Sequence, residues 1–308
     1  MDDRDELLIA ALARDGRASF RELAARAGIS PSAARERVNR LIASRMVGVH
    51  AQAHPSVLGQ PIIHLITVTA GEEPVVAPEF DDSAWIARVA DSPALLVQMS
   101  ASDLGAVHAS VERIGALPWV RDVQVDVYLR LHAGPGAGVN ANTDPGPWVV
   151  APGRALDAVD HQLAELLRVD GRAAYTDLAA QVGLSVAAVR TRVLRLLESG
   201  AIRLRTVVRR PAAQALVTLR VGAQERAAAL VALTGMPGVD YLAEVAGVHN
   251  LHCSVAAPTS EGLASLTAVL AALPGVRSHA VLPVTVLRHR LAWSSGVRER
   301  RLPDPFLH

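Results

Sequence analysis

The sequence predicts an α+β protein assembled twice over in one chain. Three observations predict it. A block of residues recurs at a fixed shift, each copy opens with a helical segment whose caps and turn glycines are in register, and each is followed by a stretch mixing strands and helices.

The repeat sets the organisation. Asp15-Gly16-Arg17-Ala18 returns as Asp170-Gly171-Arg172-Ala173, and the same shift carries Asp5 to Asp160, Leu23-Ala24-Ala25 to Leu178-Ala179-Ala180, Gly28 to Gly183 and Ser30 to Ser185. Further on, Leu117-Pro118-Trp119-Val120-Arg121 aligns with Leu273-Pro274-Gly275-Val276-Arg277. The expected modules are 1–53 and 154–210 (helical) and 60–132 and 213–290 (mixed), with a Gly/Pro-rich linker over 133–153 and a C-terminal tail over 291–308.

Composition narrows the class. Half of the 308 residues are apolar and a fifth charged, a globular balance, and with aromatics at 3% the cores fall to Leu, Val, Ile and Ala. Lysine is absent, so every fixed positive charge is an arginine. The single cysteine, Cys253, can form no internal disulfide. The acidic start has no secretory h-region, and no apolar run reaches the roughly 18–20 residues of a membrane span. The expectation is a soluble, cytoplasmic protein without a membrane partner.

In the first helical module, Leu7, Leu8, Ala11 and Leu12 fall at helical spacing and Gly16 ends that helix. Ser19 with Glu22 forms a capping box for a second helix, which Gly28 ends. Ser30 before Pro31 starts a third, whose buried face is Val38, Leu41 and Ile42. Three helices with a tight turn between the last two make a helix-turn-helix, and the second copy repeats the plan through Leu163, Leu166, Leu167 and Gly183-Leu184-Ser185.

Positive charge concentrates in the segment that begins with the third helix of each copy. Four arginines face one glutamate over 31–55, and seven face one over 186–210, inside a chain of net charge +1. Arginine there suits phosphates and guanine edges, so double-stranded DNA is the expected partner. The candidate contacts are Ser32, Arg35, Arg37, Asn39 and Arg40 in the first copy, and Arg190, Thr191, Arg192 and Arg195 in the second. Arg37 and Arg192 have a competing role in packing at the helix base. Asn39 stands opposite Leu194 and Glu36 opposite Thr191, so the two half-sites should be unequal.

The second mixed module reads strand 216–221, helix 227–233, strands 241–246 and 251–256, helix 261–273 and strand 276–288, the βαββαβ order of a ferredoxin-like unit. In the first, the place of the first helix (71–82) holds Pro74 and Pro78 and little apolar periodicity, so that helix should be shortened or irregular.

The string Asp5…Leu8…Asp15-Gly16-Arg17…Leu23-Ala24…Gly28-Ile29-Ser30-Pro31…Arg37-Val38…Arg40-Leu41, with its second copy, resembles the N-terminal domain of Lrp/AsnC (feast/famine) regulators. The resemblance implies a winged helix-turn-helix plus a ferredoxin-like RAM domain, each present twice. It implies a transcriptional regulator rather than an enzyme. It also implies pairing of modules, so that one chain could fold as an internal pseudo-dimer or assemble further. The family's effector loop matches at Gly247-Val248-His249-Asn250, which makes Gly247, His249 and Asn250 candidate contacts to a small effector such as an amino acid. The first copy has Asp91-Ser92-Pro93-Ala94 there instead.

Two alternatives stand beside this. Sirohaem decarboxylases share the two-part architecture, but they typically carry a Pro-Phe pair before the second helix, where this chain has Ala18-Ser19-Phe20. The other alternative is an interaction module that has lost DNA binding. No catalytic residue, cofactor or metal is expected: His249, Asn250, His252 and Cys253 lie close in sequence, but in a strand His252 and Cys253 face opposite sides.

Overall fold

The computed structural model of the protein describes residues 2–133, 150, 156–208 and 213–289. The tail over 291–308 and the linker, apart from residues 133 and 150, lie outside the described residues. The chain divides into two compact units, one of residues 1–54 with 135–210 and one of 55–134 with 211–308. Each unit therefore draws a segment from both halves of the chain.

The first unit holds α1 (Asp3–Arg14), α2 (Phe20–Ala27), α3 (Pro31–Ala43) and β1 (Val47–Ala53), with the equivalents α5 (Ala158–Val169), α6 (Tyr175–Val182), α7 (Val186–Glu198) and β6 (Ile202–Val208). Local chemistry sets the ends. Asp2 and Asp157 cap α1 and α5 through capping boxes, and Ser30 and Ser185 accept the N–H of Ala33 and Ala188 to start α3 and α7. Gly28 and Gly183 end α2 and α6 at φ 63° and 68°, a left-handed conformation that a side chain would strain. Leu8, Leu12, Leu23 and Val38 are fully buried in the first module, as are Leu163, Leu167, Leu178 and Val193 in the second.

Each module supplies one strand of the wing. β1 and β6 pair antiparallel from Val47 opposite Val208 to Ala53 opposite Ile202, forming a two-stranded sheet shared by the modules. Reciprocal arginines reinforce it. Arg17 donates to the carbonyls of Gly171 (2.7 Å) and Ala173 (2.9 Å), and Arg172 donates to those of Gly16 (2.6 Å) and Ala18 (3.0 Å). Each guanidinium also lies over a ring of the other module, Arg17 over Tyr175 and Arg172 over Phe20. Backbone contact is closest at Gly171, whose N–H donates to the Val49 carbonyl at 2.7 Å.

The second unit holds β2 (Ile62–Ala70), β3 (Trp85–Val89), β4 (Ala94–Ala101), α4 (Leu104–Gly115) and β5 (Val120–Ala133) from the first half. From the second half come β7 (Ala213–Val221), α8 (Arg226–Thr234), β8 (Val239–Ala246), β9 (Leu251–Ala257), α9 (Ser260–Ala271) and β10 (Val276–His289). The second copy is a complete βαββαβ unit. In the first, the span 71–82 holds only a 3-10 turn, Pro78–Phe80, and fully buried Phe80 meets Trp119 edge-on in the space beside the sheet.

Among the described residues eight strands close a barrel in the order β10-β3-β4-β2-β5-β8-β9-β7. The two 14-residue strands make the closure. The early part of β5 pairs with β2 and its end with β8, while β10 pairs first with β7 and then with β3. Bulges between Tyr128 and Arg130 and between Val286 and Arg288 mark where each strand changes its alignment. Closure leaves no unpaired edge between the copies.

Candidate nucleic-acid interface

On α3 the buried residues Ala34, Val38 and Leu41 fix which sides are free. Ser32, Arg35, Glu36 and Asn39, at i, i+3, i+4 and i+7, form one exposed stripe. The matching stripe on α7 is Ala187, Arg190, Thr191 and Leu194. Ser32 Oγ lies 3.0 Å from Ser30 Oγ, and the Thr191 hydroxyl donates to the Ala187 carbonyl at 3.0 Å. Arg35 lies over the Phe20 ring at 5.8 Å.

The remaining candidates point to another side. Arg37 donates to Asp2 (2.8 Å) and Asp5 (2.9 Å), and Arg40 reaches Asp5 at 3.3 Å. In the second module Arg192 holds Asp157 (2.7 Å) and Asp160 (2.8 Å), and Arg195 grips both carboxylate oxygens of Asp160 at 2.8 and 2.9 Å. The Arg192 bond, helped by the Asp160 N–H, depresses the Asp157 carboxyl to about 2. Arg37 is correspondingly harder to deprotonate because it bonds Asp2 and Asp5. These arginines tie the third helix of each module to the start of its first helix. Much of the positive charge counted along α3 and α7 is thereby matched by nearby carboxylates.

The carboxylates are what sequence reasoning missed. Their signal was present: Asp2 and Asp5 recur as Asp157 and Asp160 at the repeat's own shift, and an acidic N-cap pair can satisfy both a helix end and a cation.

The turn at 247–250 lies in the other unit. Asn250 is engaged by the fold itself: its Oδ1 accepts the Val221 N–H at 2.9 Å and its Nδ2 donates to the Val221 carbonyl at 2.8 Å. Gly247 is exposed, and a Cβ there would fall 2.2 Å from Oδ1 of Asp126. His249 is half-buried nearby. Within the barrel, His252 Nε2 stands 3.8 Å from Asp126, its ring meets Tyr128 edge-on, and its Nδ1 has no partner among the described residues. Burial, with repulsion from His249, lowers His252 to about 4, and burial raises Asp126. Cys253 points the opposite way into the core beneath α8 and α9, where burial pushes its thiol to about 12.

Paired three-helix modules on a shared two-stranded sheet define a tandem helix-turn-helix protein. The AsnC-type helix-turn-helix domain matches at residues 1–42 and again at 156–197. The chain thus carries two copies of an AsnC-type helix-turn-helix domain, one in each half. It is 39% identical over 84 residues to the HTH-type transcriptional regulator LrpA of Mycobacterium tuberculosis, covering 27% of this chain and 53% of that one. It therefore spans about half the length of that relative. To the HTH-type transcriptional regulator FL11 of Pyrococcus abyssi it is 27% identical over 127 residues, 40% of this chain and 84% of that one.

Solved structures of the siroheme decarboxylase NirDL match across both halves. One, in complex with an iron-uroporphyrin III analogue, has a TM-score of 0.62, 16% identity and 91% coverage of each chain. Another has a TM-score of 0.63, 14% identity and 94% coverage of each chain. At that identity the likeness shows a shared fold. It nonetheless overturns the expectation that the chain is no enzyme. That expectation rested on the resemblance to regulators and on Ala18-Ser19-Phe20 standing where sirohaem decarboxylases typically carry Pro-Phe, yet over 91–94% of the chain the architecture is that of an enzyme.

Proposed function

We propose that the protein is a DNA-binding transcriptional regulator whose single chain presents two helix-turn-helix modules to one duplex. The observation that carries this reading is the repeated exposed stripe on α3 and α7, with Arg35 and Arg190 at the same place in each and both modules held by one shared sheet. Arg37, Arg40, Arg192 and Arg195 set the pose of the helices through their carboxylate partners. Ser32, Asn39 and Thr191 complete the base-facing surface.

Retardation of promoter duplexes tests the reading. Affinity should fall steeply with salt, with a log–log slope of about 0.9 per neutralised phosphate. Arg35→Ala with Arg190→Ala should weaken binding and reduce that slope by about 1 for each phosphate left without its arginine. An unchanged affinity and slope would refute the stripe as the contact surface.

Modulation by a small effector such as an amino acid remains attached to the 247–250 turn. With the Asn250 amide bonded to Val221, the contact would fall to exposed Gly247 and to His249. Calorimetric titration of the twenty amino acids against the wild type and His249→Ala tests it. A second reading is tetrapyrrole chemistry, which the full-length likeness to NirDL motivates. An absorbance titration of the purified chain with iron-uroporphyrin III tests that reading, and an unshifted spectrum removes it.

A further inference from the structure

The recognition stripes of α3 and α7 hold equivalent places but offer opposite chemistry. On α3 the positions are Ser32, Arg35, Glu36 and Asn39, each ending in a hydrogen-bonding group. On α7 three of the four are replaced: Ala187 stands for Ser32, Thr191 for Glu36 and Leu194 for Asn39. Only the arginine is kept, as Arg190. The Thr191 hydroxyl donates its proton to the Ala187 carbonyl of its own helix, so it has none to offer a base. Leu194 is 38% exposed and Val186, at the first turn, 45% exposed, although α7 buries Val189, Val193 and Leu196 completely. An apolar surface is thus left outward on the helix face where the other module carries amide and carboxylate.

Base edges in the major groove sort by the same chemistry. Adenine is read by the paired donor and acceptor of an Asn, cytosine by a carboxylate, and guanine by Arg, whereas thymine offers a C5-methyl that favours Ala, Thr or other apolar contact. Building on the DNA-binding reading, we propose that the two modules read unlike half-sites. α7 recognises thymine methyl groups through Ala187, Thr191 and Leu194, and α3 recognises hydrogen-bonding edges through Glu36 and Asn39. Arg190, lying between Ala187 and Leu194 in the stripe, supplies charge complementary to the duplex and favours DNA over an apolar protein partner on that face.

Selection from a random-sequence duplex library with the full chain tests this, followed by exchange of thymine for deoxyuridine in one arm of the selected site at a time. The exchange removes only the methyl. The expected result is an asymmetric site with one thymine-rich arm, where deoxyuridine lowers affinity about fourfold per contacted methyl, and a second arm indifferent to the exchange. Ala187→Ser, Thr191→Glu and Leu194→Asn together, which give α7 the α3 chemistry, should abolish the deoxyuridine effect while retention of random duplex at low salt persists. A palindromic site, or binding that ignores deoxyuridine in both arms, overturns the half-site inference and leaves the DNA-binding reading standing. Failure to retain any duplex at low salt overturns both.

Discussion

The first half of the chain has the better-capped second helix and the poorer ferredoxin-like unit; the second half has the reverse. α2 opens on Ser19, whose hydroxyl accepts the Glu22 N–H while the Glu22 carboxylate takes the Ser19 N–H, but α6 opens on Ala174 with no side-chain cap. In the other unit, α8 has only a 3-10 turn as its counterpart, and the barrel interior carries His252 where the first half has Leu96. A copy folded alone would have to correct each defect within itself. Here both compact units are assembled from both halves, so a weak element in one copy is held by strands and arginines of the other. Duplication in one chain relaxes the demand that the copies remain alike.

Four experiments bear on that comparison, from the largest expected effect to the smallest. Asp160 and Asp5 are equivalent buried carboxylates, but Asp160 is gripped through both oxygens by Arg195, where Asp5 takes one longer bond from Arg40. Asp160 is buried but Arg192 and Arg195 reach solvent, so Asp160→Ala should cost about 3 kcal/mol by urea unfolding, the value of a strong hydrogen bond to a charged group, with Asp5→Ala costing less. Equal losses would mean that the extra bond adds nothing.

His252 gives the halves different responses to acid. Its folded value of about 4 lies below the usual value near 6.5, so the unfolded chain takes up the proton first. The contribution is complete above pH 6.5 and is lost as pH falls toward 4. At about 1.4 kcal/mol per unit this comes to roughly 3 kcal/mol, partly offset by Asp126, whose raised value acts in the opposite sense. His252→Leu, which installs the first-half residue, should flatten stability against pH in that window. A curve with unchanged slope would show that the histidine is not the group responsible.

Gly171 and Gly16 touch the shared sheet unequally. A Cβ on Gly171 would stand 2.9 Å from the Val49 carbonyl oxygen, which is backbone, whereas one on Gly16 would stand 2.7 Å from a methyl of the Val49 side chain. Gly171→Ala should cost about 2 kcal/mol and Gly16→Ala about 1 kcal/mol by thermal unfolding. The smallest effect concerns the caps: Ala174→Ser should stabilise, and Ser19→Ala destabilise, each by about 1 kcal/mol, read as opposite shifts in Tm.

Much of the helix-turn-helix was legible because its determinants are local. Ser30 beside Pro31, Gly28, and the leucine spacing of α1 act within a turn or two, and their repetition at one shift made the second module as readable as the first. The prolines at 74 and 78 likewise marked where a regular helix does not form. Arg35 and Arg190 were legible as outward arginines. The assignment of Arg37 and Arg192 was not, because their carboxylate partners sit 35 residues earlier on another helix. The Asn250 amide was readable as a turn group or a ligand group, and its bond to Val221, 29 residues away, could not be chosen from spacing.

The sequence by itself determined the duplicated α+β plan, the helix ends and the unlike faces of α3 and α7, since these follow from capping, periodicity and residue type within short windows. Only the tertiary structure decided that β1 pairs with β6, that β5 and β10 close one barrel from two sheets, and which arginines are matched by carboxylates. Those contacts join residues far apart in the chain, where many pairings satisfy the same local pattern and the packing of the whole selects one.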